Sequence, residues 1–168
     1  MGIYDYMAVQ PGNVRYGNIA FAVAGQIVDL YFHEIVSAEV KTAAIVFGTP
    51  VAYESDGTVV ALTDGTDVSA FKGIAVRELA REMNIRGALA VTEYVVGAVA
   101  GIMRKGHIYV TIADDALVGA TVGGAVYTKN GLFYGSANGA ATDGLVAIPN
   151  ASFETVAVAG AIAELRLA

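Results

Sequence analysis

The run Ala125-Val126-Tyr127-Thr128-Lys129-Asn130-Gly131-Leu132-Phe133-Tyr134-Gly135 places an Asn-Gly pair between two stretches of β-branched and aromatic residues. A two-residue hairpin turn of the favoured kind needs positive φ at both central positions, and Asn followed by Gly adopts it at the least steric cost. The run therefore predicts two antiparallel strands, 125–128 and 132–135. The same grammar recurs on both sides of it. Upstream, Ile45 to Tyr53 reads as a strand, Asp56-Gly57 as a tight turn, and Thr58 to Leu62 as the returning strand. Phe71 to Arg77 reads as another strand, with Gly73 as a bulge or a point of close packing. Tyr94 to Val99, Gly101 to Met103 and His107 to Ala113 give three short strands, the last alternating Ile108, Val110 and Ile112 against Tyr109, Thr111 and Ala113. Downstream come a Gly/Ala/Asn loop from Ser136 to Gly144, then strands at Leu145 to Pro149, Phe153 to Val158 and Gly160 to Leu167. The only helix-forming stretch, Glu78 to Arg86, is short and flanked by Gly87, and reads as an exposed loop with a turn or two of helix. Short strands with little helix between them predict a mainly β fold: a small β-barrel, β-tulip or sandwich of antiparallel strands.

The first residues follow a different pattern. Pro11, Gly12, Asn13, Gly17 and Asn18 punctuate short aromatic and aliphatic pieces such as Tyr4-Asp5-Tyr6. Residues 1–40 are expected to form an N-terminal arm with lead-in strands, and residues 41–168 the β domain. The arm has two readings: an edge strand of the domain's own sheet, or a segment that adds a strand to a neighbouring chain.

Composition bounds the function classes. Hydrophobic residues make up 55% of the 168 and charged residues 15%, against roughly 25% charged in an average soluble domain. The apolar excess is largely Ala and Val, so extra apolar surface is expected to be buried between chains, in an oligomer or an assembly. Mean hydropathy is +0.56, yet no uninterrupted apolar run reaches the roughly 18 residues a membrane-crossing helix needs. The opening Met1-Gly2-Ile3-Tyr4-Asp5 lacks the basic and apolar segments of a signal peptide, so export by that route is not expected. There is no cysteine, hence no disulfide framework or thiolate chemistry. A net charge of −6 argues against a nucleic-acid partner. The nearest thing to a basic cluster, Arg77, Arg81 and Arg86, is interleaved with Glu78 and Glu82.

The sequence carries no recognisable catalytic motif. Only His33 and His107 could serve as imidazole bases, and neither sits in a recognisable motif; His33 reads as a packing or hydrogen-bonding residue and His107 as a surface residue beside a turn. Zinc ligation lacks its residue types, Asp64-Gly65-Thr66-Asp67 lacks the remaining ligands of a calcium loop, and Asp114-Asp115 reads as a solvated turn. None of the 20 glycines belongs to a phosphate-cradling loop. No enzyme activity, cofactor or metal is expected.

An ordered series of motifs carries a resemblance: Val46-x-Gly48-x-Pro50-Val51, Phe71-x-Gly73-Ile74-Ala75-Val76-Arg77-Glu78, Tyr94-x-x-Gly97-x-Val99 and Gly106-x-Ile108-x-Val110. Val126-Tyr127 with Asn130-Gly131-x-Phe133, Ala151-x-Phe153 and Gly160-x-Ile162-Ala163-x-Leu165 follow in order. From about Ile45 to Leu167 the chain resembles the structural cement and head-decoration proteins of tailed bacteriophages. The resemblance implies a β-barrel or β-tulip subunit, made in the host bacterial cytoplasm, that binds the outside of the phage head at capsomer junctions and stabilises the expanded shell. Its implied partners are the major capsid protein and its own copies, as a homotrimer, with no nucleic acid and no membrane. Within the arm, Tyr4, Tyr6, Val9, Val14 and Tyr16 are the expected capsid-contact side chains. The alternative is a head-fibre or tail-associated carbohydrate- or cell-binding module, motivated by nine tyrosines, Tyr127 and Tyr134 among them, and by the 136–144 loop. An enzyme would need a pocket of converging carboxylates such as Asp114 and Glu93.

Overall fold

One long strand organises the molecule. In the computed structural model, which describes residues 22–28, 33–62, 71–78, 92–136 and 145–168, those residues form eleven strands and no helix. They are β1 (Glu34–Glu39), β2 (Ile45–Val46), β3 (Pro50–Tyr53), β4 (Val59–Ala61), β5 (Phe71–Ala75) and β6 (Glu93–Tyr94). Then come β7 (Val99–Thr111), β8 (Ala125–Lys129), β9 (Leu132–Tyr134), β10 (Val146–Phe153) and β11 (Ile162–Leu167). Nine of them make one sheet in the order β4-β3-β5-β7-β11-β10-β8-β9, with β1 also on β7, while β2 and β6 pair separately.

The 13-residue β7 belongs to two sets of neighbours. Its first half pairs with β1, from Glu39↔Val99 to Ile35↔Met103, and with β5 through Ile74↔Met103 and Ala75↔Ile102. Its second half pairs with β11, from Leu167↔Gly106 to Ile162↔Thr111. The backbone of residues 25–28 covers the other edge of that half, with Gly25 N donating to Tyr109 O and Val28 N to His107 O. The described part of the N-terminal region is thus laid along the sheet.

All recorded ladders are antiparallel, and the mainly β expectation holds. A closed barrel does not form: the strand path ends at β4 and β9, and each end returns by one isolated bridge, Val40↔Val59 and Ile112↔Phe133. Two apolar cores follow from this layout. One gathers Ile108, Val110, Phe133, Phe153 and Leu165. The other gathers Val40, Ile45, Val51, Tyr94 and Ile102, with Phe47 edge-on to Tyr94 at 5.0 Å between ring centres.

Both predicted hairpins are present, β3–β4 around Asp56-Gly57 and β8–β9 around Asn130 and Gly131, whose φ values are +50° and +78°. The expected bulge at Gly73 is present too, as the partner register jumps from Gly73 to Phe71 between Val51 and Ala52. Elsewhere local punctuation misled. Arg104-Lys105-Gly106 looked like a break between two strands, but β7 runs through it because that is where it passes from one set of partners to the other. Pro149-Asn150 looked like a strand end, but β10 absorbs it in a register shift between Ala147 and Ser152, and Asn150 takes φ +57°. Conversely, Phe153 to Val158 is not one strand, since β10 stops at Phe153. Ile45 to Tyr53 is divided by a turn in which Thr49 N donates to Val46 O, and Tyr94 to Val99 by one in which Ala98 N donates to Val95 O. The helix-forming stretch beyond Glu78, the Asp64–Asp67 loop and most of the 136–144 loop lie outside the described residues.

Candidate interaction surfaces

The 13 residues of β7 span up to about 40 Å at the usual strand rise. Both ends carry exposed aliphatic side chains. At the start, Val95, Val96 and Val99 are each more than half exposed, as is Val46 of the adjoining β2. At the far end two loops meet through the bridge Ala120↔Ala157. They present Leu117 (68% exposed), Val118, Val122, Val156 (68%) and Val158 (72%). Gly119 lets the loops touch: a Cβ there would stand 2.0 Å from the Ala157 carbonyl oxygen. Isolated exposed valines are ordinary on a protein surface; among the described residues these two groups are the candidate packing surfaces for other chains.

Described residues line two recesses on the sheet. The first, about 270 Å³, lies where β5, β7, β10 and β11 approach, and Phe71, Lys72, Arg104, Lys105, Asn150 and Leu167 face it. Arg104 also reaches Glu34 at 3.3 Å. The second, about 310 Å³, is bordered by Ile35, Val76, Arg77, Tyr94 and Val99. There the Tyr94 hydroxyl is already committed: it donates to Val76 O at 2.6 Å and accepts from Gly101 N at 3.2 Å. Tyr94 is a structural strut.

The residues expected to carry chemistry are dispersed. Glu93 stands beside the start of β7 and Asp114 beyond its far end, so they do not converge. Among the described residues no three His, Asp or Glu side chains are grouped to hold a metal ion. Tyr127 and Tyr134 are cross-strand neighbours, but Tyr134 is buried and donates its hydroxyl to Asp115 Oδ1 at 2.9 Å. The arm residues Tyr4, Tyr6, Val9, Val14 and Tyr16 lie outside the described residues.

His107 is not a turn residue. It sits inside β7 with Nδ1 2.8 Å from Oε1 of Glu164, a side chain with no exposed surface. The arrangement fits an Nδ1–H tautomer donating to a carboxylate. Glu164 N in turn donates to Thr155 Oγ1 at 2.8 Å. The pair joins β7 to β11 beneath the 154–155 turn, and it was not foreseen from the sequence.

A charged turn closes the other lobe, where the Lys41 ammonium pairs with the Asp56 carboxylate. The hydrogen bond from Lys41, then those from the Thr58 hydroxyl and amide, hold the Asp56 carboxyl well below the usual carboxylate range.

Comparison with known proteins agrees with this architecture. The family model described as "Structural cement protein (E217 gp24/Pam3 gp6)" matches residues 11–168. A chain from the capsid of Myoviridae phage XM1 is similar in fold, with a TM-score of 0.65 and 19% identity over 86% of this chain and 89% of that one. The N base of the head fibre gp8.5 of bacteriophage phi29 aligns over 81% of this chain and 94% of its own, at a TM-score of 0.44 and 14% identity. No curated protein matches the sequence.

Proposed function

Because the chain belongs to the structural cement protein family of phages, we propose that it binds the outside of the phage head at the junctions between capsomers and stabilises the expanded shell. Its partners in this reading are the major capsid protein and its own copies, arranged as a homotrimer. The observation that carries it is the pair of exposed apolar ends on one continuous strand. A subunit with sticky surfaces up to about 40 Å apart is built to span two neighbours. Separating those neighbours then requires losing the apolar contact at one end or the other, and many copies of a modest contact sum to a large resistance. The arm adds a further attachment: an extended segment can lend a strand to a capsid loop, with Tyr4, Tyr6, Val9, Val14 and Tyr16 as its anchors.

Co-sedimentation of the purified protein with expanded heads that lack it tests the reading. Saturable binding at a fixed ratio to capsid protein is expected, together with a raised temperature of head rupture. Recovery of all the protein in the supernatant would overturn it. Deleting residues 1–18 isolates the arm: binding should weaken, and unchanged binding would remove the arm from the account while leaving the apolar ends in it.

A further inference from the structure

The far end of β7 is acidic. Its loops, residues 113–124 and 154–161, carry Asp114, Asp115 and Glu154 and not one Lys or Arg. Two copies of this end facing each other would oppose carboxylates around an apolar centre, which disfavours a symmetric contact. The surface that complements it is the recess between β5 and β7. Lys72, Arg104 and Lys105 concentrate there three of the seven basic residues in the described chain, beside the apolar sides of Phe71 and Leu167. Along β7 the recess and the far end are roughly 25 Å apart at the usual rise per residue, so a molecule cannot fill its own recess.

We infer that the acidic, apolar far end of one copy seats in the cationic recess of a second copy. The contact is head-to-tail: each molecule offers one surface and receives on another, so copies join into a ring when the rotation closes and into an open chain when it does not. Leu117, Val156 and Val158 supply apolar area, and Asp114 and Asp115 set register against Lys72 and Lys105. The contact deepens the proposed self-association and draws on the same far-end side chains as the capsid bridge, so a far end seated on a second copy reaches the neighbouring capsomer through that copy.

Sedimentation velocity on the purified protein, with no heads present, tests the inference through two charge reversals made at exposed positions. One combines Asp114→Lys with Leu117→Lys, the other Lys72→Glu with Lys105→Glu; matching thermal unfolding curves establish that both fold. The wild type is expected to associate in a salt-sensitive manner, and each reversal alone to weaken association at least tenfold. Mixing the two variants is expected to restore association between them, because a basic end then meets an acidic recess and the remaining wild-type surfaces meet each other, although a ring of three would keep one mismatched contact. A wild type that stays monomeric at its highest soluble concentration overturns the inference. An oligomer indifferent to both reversals, or no recovery on mixing, overturns this contact while leaving the homotrimer and capsid binding to their own tests.

Discussion

Replacing Gly73 by alanine tests whether the junction between β5 and β7 holds the two cores together. Gly73 sits in the bulge of β5 at φ +150°, a conformation that costs a residue with a Cβ about 1–3 kcal/mol. The added methyl would also stand 2.2 Å from the Met103 carbonyl oxygen and 2.8 Å from Ile102 Cγ2. The first is a backbone atom within the β5–β7 ladder, so it cannot swing aside as a side-chain tip would. Relieving it requires β5 to move away by most of an ångström, which loosens Ile74↔Met103 and Ala75↔Ile102 and opens packing around Ile74, a fully buried side chain. Strain and lost packing together should destabilise the protein by about 3–5 kcal/mol, at the upper end of single-substitution effects. Urea unfolding of wild type and variant, compared at equal slope, measures this directly. A loss below about 1 kcal/mol would refute the reasoning, because it would mean that β5 can leave β7 without consequence for the cores.

Phe153→Ala removes a ring with no exposed surface from the larger core and should cost about 3–5 kcal/mol in the same unfolding assay. His107→Ala deletes the ring hydrogen bond to the carboxylate of buried Glu164 and should cost about 2–3 kcal/mol; His107→Asn, which keeps a donor, should recover part of it, and equal losses for the two would contradict the role given to the pair. Lys41→Met should move the NMR titration midpoint of Asp56 up toward the ordinary carboxylate value, since the Lys41 hydrogen bond is the largest cause of its depression. As the Asp56 carboxyl is more acidic in the folded protein, its contribution is present above its ordinary value of 3.8 and is lost as pH falls below it. Acid unfolding of the variant should accordingly show a shallower dependence on pH across that range.

Those features that local backbone chemistry dictates were legible in the sequence. Asn130-Gly131, Asp56-Gly57 and the Gly73 bulge each announce a geometry that few other residues adopt, and all three occur where they were expected. What the sequence hid was pairing at a distance. Arg104-Lys105-Gly106 is polar and Gly-containing like a turn, and only the hand-over from β1 and β5 to β11 explains why the strand continues. Glu164 falls on the opposite face of β11 from Ala163 and Leu165, which suited a solvent-facing residue. Instead, the 154–155 turn and His107, 57 positions earlier, cover that face. The candidate surfaces were hidden for a related reason: Val156-Ala157-Val158 is uniformly apolar like a buried strand, and apolar identity alone does not say which valines the fold will leave outside. Low charge raised the expectation of contact between chains, without saying where on the fold it would lie.

Imaging expanded heads that lack this protein, before and after adding it, by electron cryomicroscopy tests the cement role most directly. Added density is expected on the outer surface, in a fixed ratio to capsid protein, spanning adjacent capsomers with β7 reaching from one toward the next. Heads whose outer surface is unchanged at saturating protein, or density confined to a single capsomer with no bridge, would contradict that role.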